Sequence, residues 1–169
     1  MAFLLAEVGR LAEARDLMRR LLTELELALQ EGETPTAIVL QMLQASVLLG
    51  ERDAIRVLAQ ALEDVRSMSL ARNMFTCPAR VLGVAAALLG KPDEARACYD
   101  QTLEVCAKIR HRPEIALTRL QLAELLLEHY PDERAEALEH LDVAISEFRD
   151  MKMQPSLERA LRHRGLLKA

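Results

Sequence analysis

An all-α chain of stacked antiparallel helix pairs is predicted by three observations. No segment alternates apolar and polar residues, and β-branched residues are thin, so strand signals are missing. Apolar residues instead recur at three- and four-residue steps, the stripe of an amphipathic helix. Finally, "LLGKPDEARACYDQTL" (88–103) echoes "LLGERDAIRVLAQAL" (48–62) forty positions earlier, which is how a repeat protein is written.

Punctuation at Gly9, Gly32, Gly50, Gly90, Pro113, Pro131 and Pro155 divides the chain into helices near 2–8, 11–30, 35–49, 52–68, 73–89, 92–110, 113–129, 132–150 and 155–167. In the stretch 92–110, Ala95, Cys98, Tyr99, Leu103, Cys106 and Ile109 form one stripe, with acids at the start and Lys108 and Arg110 at the end, as the helix dipole favours. Pro35, Pro92, Pro113 and Pro155 fall in first turns, where a missing N–H is harmless. Pro78 bends its helix if that helix starts near Asn73 and simply opens it if the start is at Thr76; the bend is favoured, because the neighbouring repeats have longer helices.

The echo extends to "EVGRLAEARDLMRRLL" (7–22) and "LLLEHYPDERAEALEHLDVAI" (125–145), the latter without a glycine. Read from Ala14, Ile55, Ala95 and Ala137, the interval stays near forty residues. Each unit is two helices joined by a tight turn, which cannot bury its apolar faces alone and must stack on its neighbours.

Length and composition fit one domain, 1–169, with 51% apolar residues and no linker-like tract. A net charge of −4 with both signs interspersed disfavours nucleic acid, as do aromatics that are few and far apart. Three cysteines, an odd number, fit a reducing compartment, and the cytosol is expected. The opening "MAFLLAEVG" has no basic region, no run approaches a membrane span, and no membrane partner is expected.

Chemistry-bearing patterns are missing. No Cys-x-x-Cys or His-Glu-x-x-His occurs, Cys98 and Cys106 sit at core spacing, and no metal or other cofactor is expected. No phosphate-cradling glycine loop or nucleophile elbow appears, so no enzymatic activity is expected. His111, His129 and His140 read as surface residues, and the glutamates around 124–139 as a solvated face. The last segment gathers Arg149, Lys152, Arg159, Arg162, Arg164 and Lys168, with Leu157, Ala160, Leu161 and Leu166 as the stripe covering the preceding unit.

The pattern resembles the tetratricopeptide repeat. Leu82-Gly83 matches the Leu-Gly pair of its first helix, Gly90 its turn, Ala95 the small residue at the helix crossing and Tyr99 the following aromatic. Ala14 and Ala137 match the crossing residue too, whereas Ile55 departs from it and predicts looser packing. The long interval is similar to the helical arrays of bacterial signal-transducing ATPases with LuxR-type regulators and of ATPase-linked nucleotide cyclases. The resemblance implies a right-handed superhelical solenoid: a partial first repeat (1–30), repeats 34–68, 73–110 and 113–150, and a capping helix 155–167.

It also implies a concave groove lined by the first helix of each pair. Leu40, Gln44, Val47 and Leu48 come from the second repeat; Cys77, Arg80, Val84 and Ala87 from the third; Leu120, Glu124 and Leu127 from the fourth. A lining this apolar, with Arg80, Gln44 and Glu124 as polar handles, suits a protein or peptide partner. The expected role is a non-catalytic interaction or regulatory module of a larger bacterial signalling or transcription-regulatory protein. The alternative is a regulatory domain that senses a small molecule by closing around a metabolite. The short first helix adds an expectation of self-association at the incomplete N-terminal repeat, with some of Leu11, Ala14, Leu17, Met18 and Leu21 uncovered.

Overall fold

The computed structural model describes residues 8–31, 35–62 and 76–166. Among these residues the chain forms helices and turns with no strand. In order they are α1 (Leu11–Glu31), α2 (Thr36–Leu49), α3 (Arg52–Ala61), α4 (Pro78–Leu88), α5 (Pro92–Ile109), α6 (Arg112–His129), a 3₁₀ turn (Pro131–Glu133), α7 (Arg134–Asp150) and α8 (Gln154–Leu166). Helix 2–8 and the stretch 63–75 lie outside the described residues, whereas Leu11, Ala14, Leu17, Met18 and Leu21, the residues expected to be left partly uncovered at the N-terminal repeat, lie within them.

The helices fall into two compact units that divide between Lys91 and Pro92, α1–α4 in one and α5–α8 in the other. In the first, α2 packs against α1, α3 and α4, and α4 also meets α3. In the second, α6 packs against α5, α7 and α8, and α7 also meets α8.

Pro78 corrects the expected bend. Cys77 is extended at φ −79°, ψ 123°, and Pro78 opens α4 instead of kinking a helix from residue 73. The proline ring disfavours helical geometry at the residue before it, so a helix begins at this position more easily than it passes through.

Four of the five described turns between consecutive helices share one hydrogen-bond pattern. At Gly50 (φ 70°) the glycine N–H donates to the Val47 carbonyl and the Glu51 N–H to that of Ser46, at 3.2 and 3.0 Å. Gly90 (φ 79°) repeats this with Ala87 and, through Lys91, Ala86, both at 3.0 Å. Arg110 (φ 54°) and Lys152 (φ 57°) repeat it again: His111 N–H reaches Cys106 at 3.0 Å and Met153 N–H reaches Phe148 at 2.9 Å. This left-handed stop satisfies carbonyls that the helix end leaves open. Glycine holds the left-handed position at two of these turns, and a cation, favourable beside a helix C-terminus, holds it at the other two.

An alanine at Gly90 meets no atom within 4 Å, so its penalty is backbone conformation alone. Left-handed strain of about 1–2 kcal/mol, partly offset by a stiffer unfolded chain, gives Gly90→Ala an expected net loss of about 1 kcal/mol. Lys152→Gly is expected to move stability the other way by up to about 1 kcal/mol. Urea midpoints of the two variants moving in the same direction would contradict this account.

Between the turns, Ala14, Ile55, Ala95 and Ala137 each have 0% exposure. Ile55 is as fully enclosed as the alanines, so the looser packing expected of it does not appear as exposure. Ala14 and Met18 are likewise buried, Leu17 and Leu21 half-buried, and Leu11 exposed. The buried hydroxyls of Ser46, Thr102 and Thr118 donate to the carbonyl four residues back, at 2.9, 2.8 and 2.7 Å, which removes the penalty of an unpaired polar atom in the core.

Candidate functional site: the faces of the first helices

Two helices of the first unit, α2 and α4, differ in chemistry from the others. From Thr36 to Leu49, α2 carries no charged residue, and α4 carries only Arg80. The second helices α1, α3, α5 and α7 alternate charged and apolar positions instead. A helix that is apolar all round is either sandwiched in a core or has a face that other apolar surface can cover.

On α2, Leu40 is buried, Gln44 and Val47 are half-buried and Leu48 is 47% exposed. On α4, Arg80, Val84 and Ala87 are half-buried and Leu88 is 39% exposed. Arg80 Nη2 donates to Thr76 Oγ1 at 2.6 Å, which ties the guanidinium to the start of the helix. Cys77 lies buried at the cap of α4, off the helix face that the repeat pattern assigned to it. Since α2 and α4 pack together, their exposed residues supply apolar surface to the same unit. Ile38, 48% exposed on α2, and Leu88 belong with these residues, although the sequence reading did not include them. Periodicity could not mark them, because helices without polar residues carry no signal for which side faces out.

In the second unit, Leu120 is buried and Leu127 half-buried on α6. Leu40, Cys77 and Leu120 are thus core residues that offer no surface to a partner. Glu124 is engaged within the fold: Arg159 of α8 grips both carboxylate oxygens through Nε and Nη2, and His163 Nε2 lies 2.8 Å away. The solvated-face reading of Glu124 is therefore corrected, since a partner 35 residues away neutralises it.

Ion pairs repeat with the fold. Arg15, next to Ala14, meets Glu51 at 3.1 Å, and Arg96, next to Ala95, meets Glu133 at 2.7 Å, so a second helix is tied to the following turn in both units. The equivalent positions in the middle are Arg56 and Lys91, two cations, and Arg56 turns to Asp53 at 2.9 Å. Where glycine is absent from the fourth turn, Tyr130 supplies another tie: its hydroxyl donates to Asp93, and Arg96 sits 5.2 Å over its ring. The hydrogen bond from Arg96 holds the Glu133 carboxyl below the usual carboxylate range, and the bond to Asp93 raises the Tyr130 phenol.

His140 is half-buried on α7, against the surface position expected of it, and its Nδ1 lies 3.0 Å from Arg119 Nη1 of α6. A guanidinium only donates, so the imidazole must accept and stay neutral. Burial and then the Arg119 charge lower its pKa, against weaker raising effects from Glu136 and Asp100. Stability is therefore expected to be unaffected by this group above about pH 6.5. As pH falls below that value the unfolded chain takes up a proton that the folded joint resists, so stability declines until the lowered folded pKa is reached. Urea midpoints should fall from pH 7 towards 5.5, and less so in His140→Gln; equal slopes in the two proteins would remove His140 from the account.

No protein-family model, curated protein or solved structure matches the chain. Among the described residues no group of three or more His, Cys, Asp or Glu is placed to hold a metal ion. Nor is any described helix long and apolar enough to cross a membrane.

Proposed function

We propose that the chain is a non-catalytic interaction module of tetratricopeptide type, with each unit a segment of a right-handed superhelical solenoid. The observation that supports this is the recurrence, near forty residues apart, of the enclosed Ala14, Ile55 and Ala95 after left-handed turns at Gly9, Gly50 and Gly90, beside α2 and α4, which are nearly free of charge. The partner surface is the mostly apolar face of α2 and α4, with Gln44, Val47, Leu48, Arg80, Val84, Ala87 and Leu88. It binds an apolar or amphipathic peptide or protein helix: affinity comes from apolar burial, and Gln44 and Arg80 set orientation. The resemblance in sequence supports a place in a larger bacterial signalling or transcription-regulatory protein.

A metabolite sensor is the rival reading. It needs several polar groups converging on the ligand, whereas α2 and α4 offer one charged side chain, already hydrogen-bonded to Thr76. The test is a pull-down from the source cell with wild type and with Leu48→Glu/Leu88→Glu, whose substituted positions are exposed enough to leave the fold intact. Loss of one specific partner from the variant supports the proposal. Identical recovery of every partner by two folded proteins removes this face as the site.

A further inference from the structure

The last helix is held differently from its counterparts. Relative to α6 and α7, α8 lies as α4 does relative to α2 and α3: a first helix packed on both members of the preceding pair. Yet α4 buries seven residues and α6 eight, whereas Ala160 is the sole buried residue among the described side chains of α8. Leu157 is half-buried, and Leu161, expected in the covering stripe, is 41% exposed.

Charge takes the place of that missing core. Arg159 and His163, one turn apart on α8, converge on the Glu124 carboxylate of α6. Arg164 reaches Asp142 of α7 through Nε and Nη2 at 2.9 and 3.0 Å. The side chain of Glu124 is 17% exposed and that of Arg159 is 49% exposed, so the pair is open to solvent and to salt on the arginine side. The joint leading into α8 is the left-handed turn at Lys152, where a non-glycine residue holds φ at 57°. A strained joint, a small apolar footprint and a concentrated set of ion pairs together make an element of low local stability.

We infer that α8 is an electrostatic latch: a helix held on α6 and α7 chiefly by the carboxylates of Glu124 and Asp142, which undocks as a unit about the Lys152 turn while the α6–α7 pair stays folded. Opening bares both carboxylates and the seat of Ala160, so the surface that this unit presents depends on ionic strength and on competing cations. The inference is independent of what the α2–α4 face binds.

Hydrogen exchange of the full chain tests it. In wild type, α8 amides should exchange at least about tenfold faster than those of α6, and faster still in about 1 M salt. Glu124→Gln with Asp142→Asn should speed α8 exchange by a further factor of about ten and leave α6 rates within about twofold. The exchanged pair Glu124→Arg/Arg159→Glu should recover most of the lost protection, a rescue that a role in packing alone would not give. The α6 amides report whether each variant is folded; where the exchanged pair is not, the salt and neutralised arms decide. Wild-type α8 protection equal to that of α6, or α8 rates indifferent to both salt and neutralisation, overturns the latch.

Discussion

Phe148→Ala is expected to lower the unfolding free energy by about 3–5 kcal/mol. Phe148 is fully enclosed near the end of α7, the helix that meets both α6 and α8, and its carbonyl accepts the Met153 N–H that closes the Lys152 turn. Truncation leaves a cavity in a close-packed interior that relaxes only in part. For a domain whose whole stability is about 5–15 kcal/mol, that loss decides whether the second unit folds at 37 °C. Phe148→Leu, which keeps most of the volume, should lose clearly less. The measurement is the urea midpoint of each variant by circular dichroism, and equal losses for Ala and Leu would show that packing at Phe148 is not what holds α7.

The second large effect comes from opposite volume changes, both destabilising, at two fully enclosed positions. Ala137→Leu adds volume where α7 is completely enclosed, and overpacking of that kind costs about 1–3 kcal/mol. At Ile55, equally enclosed, the sensitive change is the reverse one: Ile55→Ala should cost about 2–5 kcal/mol by opening a cavity. Ala135, exposed on the same helix as Ala137, is the control, since leucine there adds no buried atom. Tolerance of leucine at Ala137 equal to that at Ala135 would mean that residue size does not set the approach of the helices.

These residues also show what the sequence made legible. Burial at 14, 95 and 137 agrees with small residues on the apolar stripe after each turn, whereas Ile55, expected to pack more loosely, is as enclosed as the alanines. Helix starts at prolines were readable as well, except at Pro78, where an appeal to repeat length outweighed the stronger local rule that the residue before proline avoids helical geometry. The turns at Arg110 and Lys152 carried no glycine and gave no local signal; only the hydrogen bonds to Cys106 and Phe148 identify them.

The candidate site was less legible. Charged positions reveal the outward side of α1 or α5, but α2 and α4 have almost none, so Leu40 could not be told from Leu48 by pattern. The partner of Glu124 lies 35 residues away on α8, and that of His140 is 21 residues back on α6. Such pairings belong to tertiary structure, and local composition misread both residues as solvated.

Residues 111–152 begin and end at matching joints, Arg110-His111 and Lys152-Met153. A duplicate spliced in after Lys152 would enter through a left-handed stop of the kind it already leaves by, with His111 following Lys152 as it now follows Arg110.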